Sequence, residues 1–295
     1  MNTRNLRFRS NRVRDIIALF HEELDALYSS GEVDAFIEIL FEEYLGWDRV
    51  KLLLNREMSI DQSDLLRFHW ALEDLNKYRP IQHIVGHTDF CGCRISVSPD
   101  VLVPRPETEE IVNWVVNQFS TLNSQLSILD LCTGSGCIAI ALKRAFPQAE
   151  VTAVDLSDKA LVIARQNADN NNVAINFVHG DVLDPQFKIQ NSKFNIIISN
   201  PPYVMEKERS LMRRNVLDYD PAMALFVPDD DPLRFYRAIA TIARQNLTPD
   251  DQLVVEINEA LADETCAVLE GFNIKVHNDF RGRPRWISAK LNTDH

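Results

Sequence analysis

The stretch Phe194-Asn-Ile-Ile-Ile-Ser-Asn-Pro-Pro-Tyr203 constrains the fold of this chain more than any other. Ile196, Ile197 and Ile198 are apolar and β-branched with no polar alternation, the pattern of a strand buried on both faces of a parallel sheet. The run stops at Asn200-Pro-Pro-Tyr203, where two prolines end sheet pairing and stiffen the backbone. In open α/β sheets, ligands bind beyond the carboxyl ends of the strands. An amide, a rigid diproline and an aromatic ring therefore stand where chemistry is expected.

Taken alone, Asn-Pro-Pro-Tyr is as readily a plain turn, since Asn and Pro are common turn formers. Its place after a buried strand and downstream of a glycine loop points to function. An amide or exocyclic amino nitrogen is a poor nucleophile because its lone pair is delocalised. A site that methylates one needs two acceptors for its N–H groups, aimed so that the lone pair meets the methyl donor. The Asn200 side-chain oxygen and the Pro201 carbonyl can supply them, Pro202 leaving that carbonyl without a helical role, and the Tyr203 ring can pack on a flat substrate group. Positioning of this kind can lower a barrier by about 7–11 kcal/mol in well-oriented cases.

Strand and helix alternate around this corner. Ser127–Leu131, Glu150–Val154, Ile175–Val178, Ile196–Ile198 and Leu253–Ile257 read as strands, with helices over Gly136–Phe146 and Asp158–Asn170. A final hairpin pairs Ile274–Val276 with Trp286–Ala289. The rhythm predicts an α/β domain, a doubly wound, Rossmann-like parallel sheet with an antiparallel edge added late.

The first of these units, Ile128-Leu-Asp-Leu-Cys-Thr-Gly134-Ser-Gly136, is strand, glycine turn and helix. Glycines let the backbone approach a ligand closely, although Gly-x-Gly-x-x-Ala alone also suits nicotinamide or flavin cofactors. The next strand ends at Asp155, 19 residues past Gly136, the place for a carboxylate on ribose hydroxyls. Asp181 follows the third strand and can accept from an adenine amino group. Each carboxylate alone reads as a surface charge. Glycine loop, Asp155, Asp181 and Asn-Pro-Pro-Tyr on successive strand ends make a far more specific set, and S-adenosylmethionine fits it best. No Gly-Lys-Ser/Thr motif indicates a phosphate loop.

Residues from about 11 to 79 are patterned as helices. Val13, Ile16, Ile17, Phe20, Leu24 and Leu27 recur at helical spacing, Gly31 offers a stop, and Val33, Phe36, Ile37, Leu40 and Tyr44 open a second helix. A short third segment runs from Val50 to Leu54, and Asp61 can cap a fourth helix carrying Leu65, Leu66, Phe68 and Leu72. Trp70 and the phenylalanines are expected in its core. Residues 83–103 look extended and suit a β-hairpin. Pro106 then fits a first helical turn, with Glu107, Glu109 and Glu110 favoured by the helix dipole. The expected division is 1–80 helical, 81–104 hairpin linker and 105–295 Rossmann-like.

The net charge of −12 argues against a protein that grips a nucleic-acid backbone. Five cysteines, an odd number without paired ligand spacing, suggest neither a disulfide framework nor zinc. No apolar run of signal-peptide length follows the arginine-rich start, and no stretch reaches the apolar length of a membrane helix, so a cytoplasmic protein is expected, with no membrane and no metal.

The ordered runs Pro80-Ile-Gln-His-Ile-Val-Gly86, Val103-Pro-Arg-Pro-Glu-Thr-Glu109, Asp130-Leu-Cys-Thr-Gly-Ser-Gly136, Asn200-Pro-Pro-Tyr203 and Asp279-Phe-Arg-Gly-Arg-Pro-Arg285 span nearly the whole chain. Together they resemble the release factor glutamine methyltransferases, known as PrmC or HemK. The resemblance implies an S-adenosylmethionine-dependent enzyme with a helical N-terminal domain, a hairpin and a Rossmann-like domain. The substrate it implies is the glutamine of the Gly-Gly-Gln loop in class I peptide chain release factors. It further implies that Cys132, Thr133, Gly134, Ser135, Gly136, Asp155, Asp181, Val182 and Asn200 hold the donor. Asn200, Pro201, Pro202 and Tyr203 would hold the glutamine and carry catalysis. Arg105 and Glu107 are secondary candidates for shaping that pocket, and a monomer is expected.

The chain departs from the family pattern at three places. Cys132 stands where the loop usually has Gly, Val227-Pro-Asp-Asp-Asp-Pro232 replaces a glycine-containing stretch, and Glu256-Ile-Asn-Glu259 replaces Glu-Ile-Gly. Three other readings stay open on the residues alone. One is a ribosomal-protein glutamine methyltransferase, against which the Pro-Arg-Pro-Glu-Thr-Glu run weighs. Another is a DNA amino-methyltransferase, against which the acidic charge weighs. The third, a non-catalytic adenosyl-binding module, sits poorly with an intact Asn-Pro-Pro-Tyr.

Overall fold

A computed structural model describes residues 8–120, 125–189 and 193–292. The chain forms two compact units. One holds the described residues up to Gly86 together with Arg214–Tyr219; the other holds His87–Arg213 and the described residues from Asp220 on.

The first unit contains α1 (Val13–Leu24), α2 (Ser30–Leu45), α3 (Arg49–Leu54), α4 (Gln62–Asn76) and α5 (Ile81–Val85). Their apolar stripes meet in one core that includes Val13, Ile16, Phe20, Val33, Leu40, Phe41, Phe68 and Leu72. Four local expectations are corrected here. Gly31 does not stop a helix: it lies in the first turn of α2, because Ser29 caps Glu32 in a reciprocal capping box just before it. Asp61 stands at the α4 N-cap, but its side chain makes no capping bond. Trp70 is 56% exposed, because α4 buries Phe68, Ala71, Leu72 and Leu75 on one face and position 70 falls off that stripe. Residues 81–85 are helical rather than extended, the turn closing at Gly86 with φ 84°. Arg214–Tyr219, with the single-turn helix α9 (Arg214–Leu217), joins this unit: the Tyr219 hydroxyl donates to the Lys77 carbonyl at 3.0 Å, and the Arg214 guanidinium lies over the Tyr78 ring.

The second unit opens with the hairpin β1 (His87–Phe90) and β2 (Cys93–Ser96), then α6 (Pro106–Phe119). The main sheet follows in β3 (Ser127–Leu131), β4 (Glu150–Asp155), β5 (Asn176–His179), β6 (Ile196–Ser199), β9 (Gln252–Glu256), β10 (Phe272–Asn278) and β11 (Pro284–Leu291). Their spatial order is β10-β11-β9-β6-β3-β4-β5, parallel from β5 to β9, with an antiparallel β10–β11 hairpin at the edge. A two-residue parallel pair, β7 (Val204–Met205) and β8 (Phe226–Val227), lies outside it. The helices are α7 (Cys137–Ala145), α8 (Asp158–Asn170), α10 (Ala222–Leu225), α11 (Arg234–Asn246) and α12 (Ala262–Val268). This is the doubly wound, Rossmann-like sheet with a late antiparallel edge that the residue pattern predicts.

The isoleucine run explains why the sheet needs two covering layers. Ile196 and Ile198 point into the core built with α6 and α7, Ile197 into the core built with α11, and all three are fully buried. Alternate side chains of a strand face opposite sides, so an unbroken apolar run is stable only when both sides are covered. β6 is thus central, and its carboxyl end delivers Asn200 to the switch between β3 and β6, where the strand order reverses.

Candidate active site

The turn after β3 takes its shape from left-handed backbone at Cys132 (φ 61°), Gly134 (φ 55°) and Gly136 (φ 80°). A Cβ on Gly136 would come within 3.1 Å of the Ala164 Cβ, so the close packing of the loop and α8 requires glycine there. Cys132 adopts the left-handed conformation despite its side chain, which costs roughly 1–2 kcal/mol relative to glycine. Beneath the turn, the fully buried Asp130 accepts from the Thr133 hydroxyl at 2.5 Å. Burial pushes the Asp130 carboxyl up to about 7, against the pull of that hydroxyl.

Asp155 ends β4, the strand beside β3. Its two oxygens accept from the Gly134 N–H at 2.8 Å and the Ser157 N–H at 2.9 Å. Burial raises its pKa, and these backbone donors oppose the rise. Each carboxylate oxygen has a further lone pair, so Asp155 can still accept from sugar hydroxyls. Asp181 follows β5 and accepts from the Leu183 N–H at 2.8 Å, closing a tight turn.

These elements enclose a cavity of about 400 Å³. Its wall includes Cys132, Thr133, Gly134, Ser135, Asp155, Asp181, Val182, Asn200, Pro202 and Arg105. The sequence-predicted residues from four strand ends therefore converge on one space. Gly136, Pro201, Tyr203 and Glu107 are not part of that wall. Gly136 is buried at the start of α7, and Pro201 is buried within the corner. Of the residues at the start of α6, Thr108 rather than Glu107 reaches the cavity. The donor set suits an adenosyl group: backbone turns for close approach, carboxylates for hydroxyls and an amino group, and apolar Val101, Leu102, Ile138 and Val182 for a flat ring.

The Asn200 side chain is held by a chain of hydrogen bonds. Its Nδ2 donates to Thr108 Oγ1 at 3.3 Å, and Thr108 Oγ1 donates to Glu256 Oε2 at 2.8 Å. The other oxygen of Glu256 accepts from the Tyr203 hydroxyl at 3.0 Å. Glu256 is 1% exposed; burial pushes its pKa up, and the Thr108 and Tyr203 hydroxyls oppose that. Burial likewise raises the Tyr203 phenol well above its usual range, with the Glu256 charge adding to it. Tyr203 is thus a protonated donor whose ring lies behind the cavity wall. Asn258 Nδ2 donates to the Tyr203 carbonyl at 3.1 Å and to Glu208 Oε2 at 2.9 Å, fixing the chain that leaves the diproline.

Thr108, Glu256 and Asn258 carry hydrogen bonds around the Asn-Pro-Pro-Tyr corner that residue pattern did not single out. Glu256 ends β9, beside β6, at the same edge of the sheet as Asn200. A carboxylate closing an apolar strand is the one signal that could have marked it. Asn258 occupies a position of the Glu-Ile-Gly departure, and here it holds the Tyr203 carbonyl.

Two family models match the chain: the PrmC N-terminal domain over residues 15–86 and the methyltransferase small domain over residues 113–218. The release factor glutamine methyltransferase of Flavobacterium psychrophilum is 41% identical, over 92% of this chain and 96% of that protein. That of Bacteroides thetaiotaomicron is 38% identical, over 93% of this chain and 98% of its own length. The Enterococcus faecalis protein of the same name is 33% identical, over 90% and 95%. With both domains matched and relatives aligned nearly end to end, this chain belongs to the release factor glutamine methyltransferase family.

Proposed function

We propose that this protein transfers a methyl group from S-adenosylmethionine to the side-chain amide nitrogen of the glutamine in the Gly-Gly-Gln motif of class I peptide chain release factors, in the cytoplasm. The observation that carries the reading is the tethering of Asn200 in the cavity wall. Its Nδ2 is committed to Thr108, which turns the other end of its amide, an acceptor, toward a ligand.

The donor, when bound, supplies an electrophilic methyl group. Cys132 to Gly136 and Val182 shape its seat, Asp155 accepts from its hydroxyls, and Asp181 from its amino group. Asn200 Oδ1, in the cavity wall, accepts from one N–H of the glutamine amide, and the adjoining Pro201 carbonyl, which that wall does not include, is assigned as the acceptor of the other; together they aim the nitrogen lone pair at the methyl. Pro201 and Pro202 keep these two oxygens at a fixed spacing. Tyr203 serves from behind, bracing the corner through Glu256. The surplus proton passes to water, so no nearby carboxylate is assigned as a base.

The helical unit is assigned to contact with the release factor, the strongly acidic chain being unsuited to gripping nucleic acid. The test is mass spectrometry of a purified class I release factor after incubation with enzyme and S-adenosylmethionine. One added methyl on the Gly-Gly-Gln glutamine is expected; a methyl elsewhere, or none, refutes the reading.

A further inference from the structure

We infer that Glu256 acts as a positioning residue: its carboxylate sets the direction of the hydrogen bonds through Thr108 and so fixes which end of the Asn200 amide faces the cavity. This rests on the reading of Asn200 as the acceptor for a substrate amide.

A threonine hydroxyl has one proton to give and two lone pairs to accept with. A carboxylate accepts only. Thr108 Oγ1 lies 2.8 Å from Glu256 Oε2, so its proton is drawn there. What it then offers Asn200, at 3.3 Å, is a lone pair, and only the NH₂ end of the amide can use it. The Oδ1 end is left for the cavity. If the Thr108 proton instead pointed at Asn200, the amide would reverse and present a donor to the substrate N–H groups. A donor there opposes the amide instead of orienting it.

Tyr203 makes the arrangement symmetric. Its hydroxyl gives its own proton to the second oxygen of Glu256, at 3.0 Å. Both oxygens of one carboxylate thus hold a hydroxyl donor, and each hydroxyl belongs to an element of the site. Glutamine at 256 would keep the shape but offer one acceptor and one donor. One of the two hydroxyls must then turn from donor to acceptor, and the enforced direction is lost. The main sheet supplies the rigidity: Glu256 is the last residue of β9, paired in parallel to β6, which leads directly into Asn200.

The test compares wild type with E256Q, T108V and T108S, using purified release factor and S-adenosylmethionine. E256Q and T108V are expected to lower kcat by about threefold to tenfold or more, with KM for the release factor, donor Kd by calorimetry and melting temperature close to wild type. T108S, which restores the hydroxyl, should recover most of the loss seen in T108V. The double variant E256Q/T108V should be no slower than the worse single one, since both act on one chain of bonds. A second readout needs no substrate: the Asn200 side-chain NH₂ signal in ¹⁵N–¹H spectra, assigned by its loss in N200A. It should move in E256Q and T108V and stay in T108S. Wild-type kcat in E256Q and T108V overturns the inference, as does an unmoved Asn200 signal. If the wild-type enzyme leaves the release factor unmethylated while the Asn200 signal still moves in E256Q and T108V, the functional reading fails and the positioning role stands.

Discussion

Arg105 donates from Nη2 to Oδ2 of the buried Asp220 at 2.6 Å, an ion pair between residues 115 positions apart. Arg105 precedes α6 and lines the cavity, while Asp220 precedes Pro221, Met223 and Ala224, which also line it. The pair therefore ties together two chain segments that line the same space. Burial pushes the Asp220 carboxyl up to about 6, opposed by the Arg105 charge.

Removing Arg105 leaves that carboxylate buried without its partner. Because Arg105 is about one-third exposed, the loss is discounted for solvent screening: R105A is expected to lower stability by about 1–3 kcal/mol in urea unfolding. Donor affinity by calorimetry should fall with it. D220N, which removes the charge rather than its partner, should cost less than R105A. Equal losses in the two variants would mean that the pair does not hold the wall.

Asn200→Ala removes the amide from the cavity wall while leaving the glycine loop, Asp155 and Asp181 in place. Turnover should fall more than about tenfold, as for loss of one positioned polar contact to the reacting group. Donor binding should fall less. Single-turnover methylation and calorimetric titration separate the two, and full activity in N200A refutes the assignment.

Much of this was legible because it is local. Ile196 to Ile198 have to be covered on both sides, the prolines have to end β6, and Gly134 and Gly136 have to turn; each follows from a residue and its immediate neighbours. The same logic failed where a local cue met a stronger one. Gly31 looks like a stop until Ser29 and Glu32 close a capping box around it. Trp70 looks like core until the α4 stripe through Phe68, Leu72 and Leu75 is seen to exclude it. Glu256 and Thr108 were illegible for a different reason. They are 148 residues apart, and no pattern along the chain announces that a threonine in α6 and a glutamate ending β9 will share a proton. Strand ends reveal which residues reach the site, whereas the bonds that aim them are tertiary.

Asp130 carries a pH dependence that can be isolated. Its folded pKa, raised by burial to about 7, lies above the unfolded carboxylate value near 3.8. Between those values the native protein keeps a proton that the unfolded chain has released. The stability contributed by that proton is complete below about pH 4 and is lost as pH rises through about 7, after which it is flat. D130N stays neutral and can still accept from Thr133. Its stability relative to wild type should therefore climb from pH 5 to pH 8, by roughly 1–4 kcal/mol. Urea unfolding at four pH values across this range measures the climb, and a constant difference would refute the elevated pKa.

Cys132 tests how much the donor loop tolerates. It holds φ 61° between a β3 residue and the glycine turn, packs partly against the core of the second unit, and lines the cavity. Valine is β-branched, and such residues are outliers at positive φ. C132V is expected to destabilise by about 1–2 kcal/mol and to weaken S-adenosylmethionine binding, because relaxing the strain moves the backbone toward the donor's seat. Glycine relieves the strain but frees the unfolded chain, two effects each of about 1 kcal/mol and opposite in sign. C132G should therefore match wild type within about 1 kcal/mol, the small side chain of cysteine contributing little packing to lose. Thermal unfolding with and without the donor distinguishes these cases. Valine tolerated as well as glycine, with donor affinity intact, would show that the left-handed backbone at Cys132 is not what shapes the pocket.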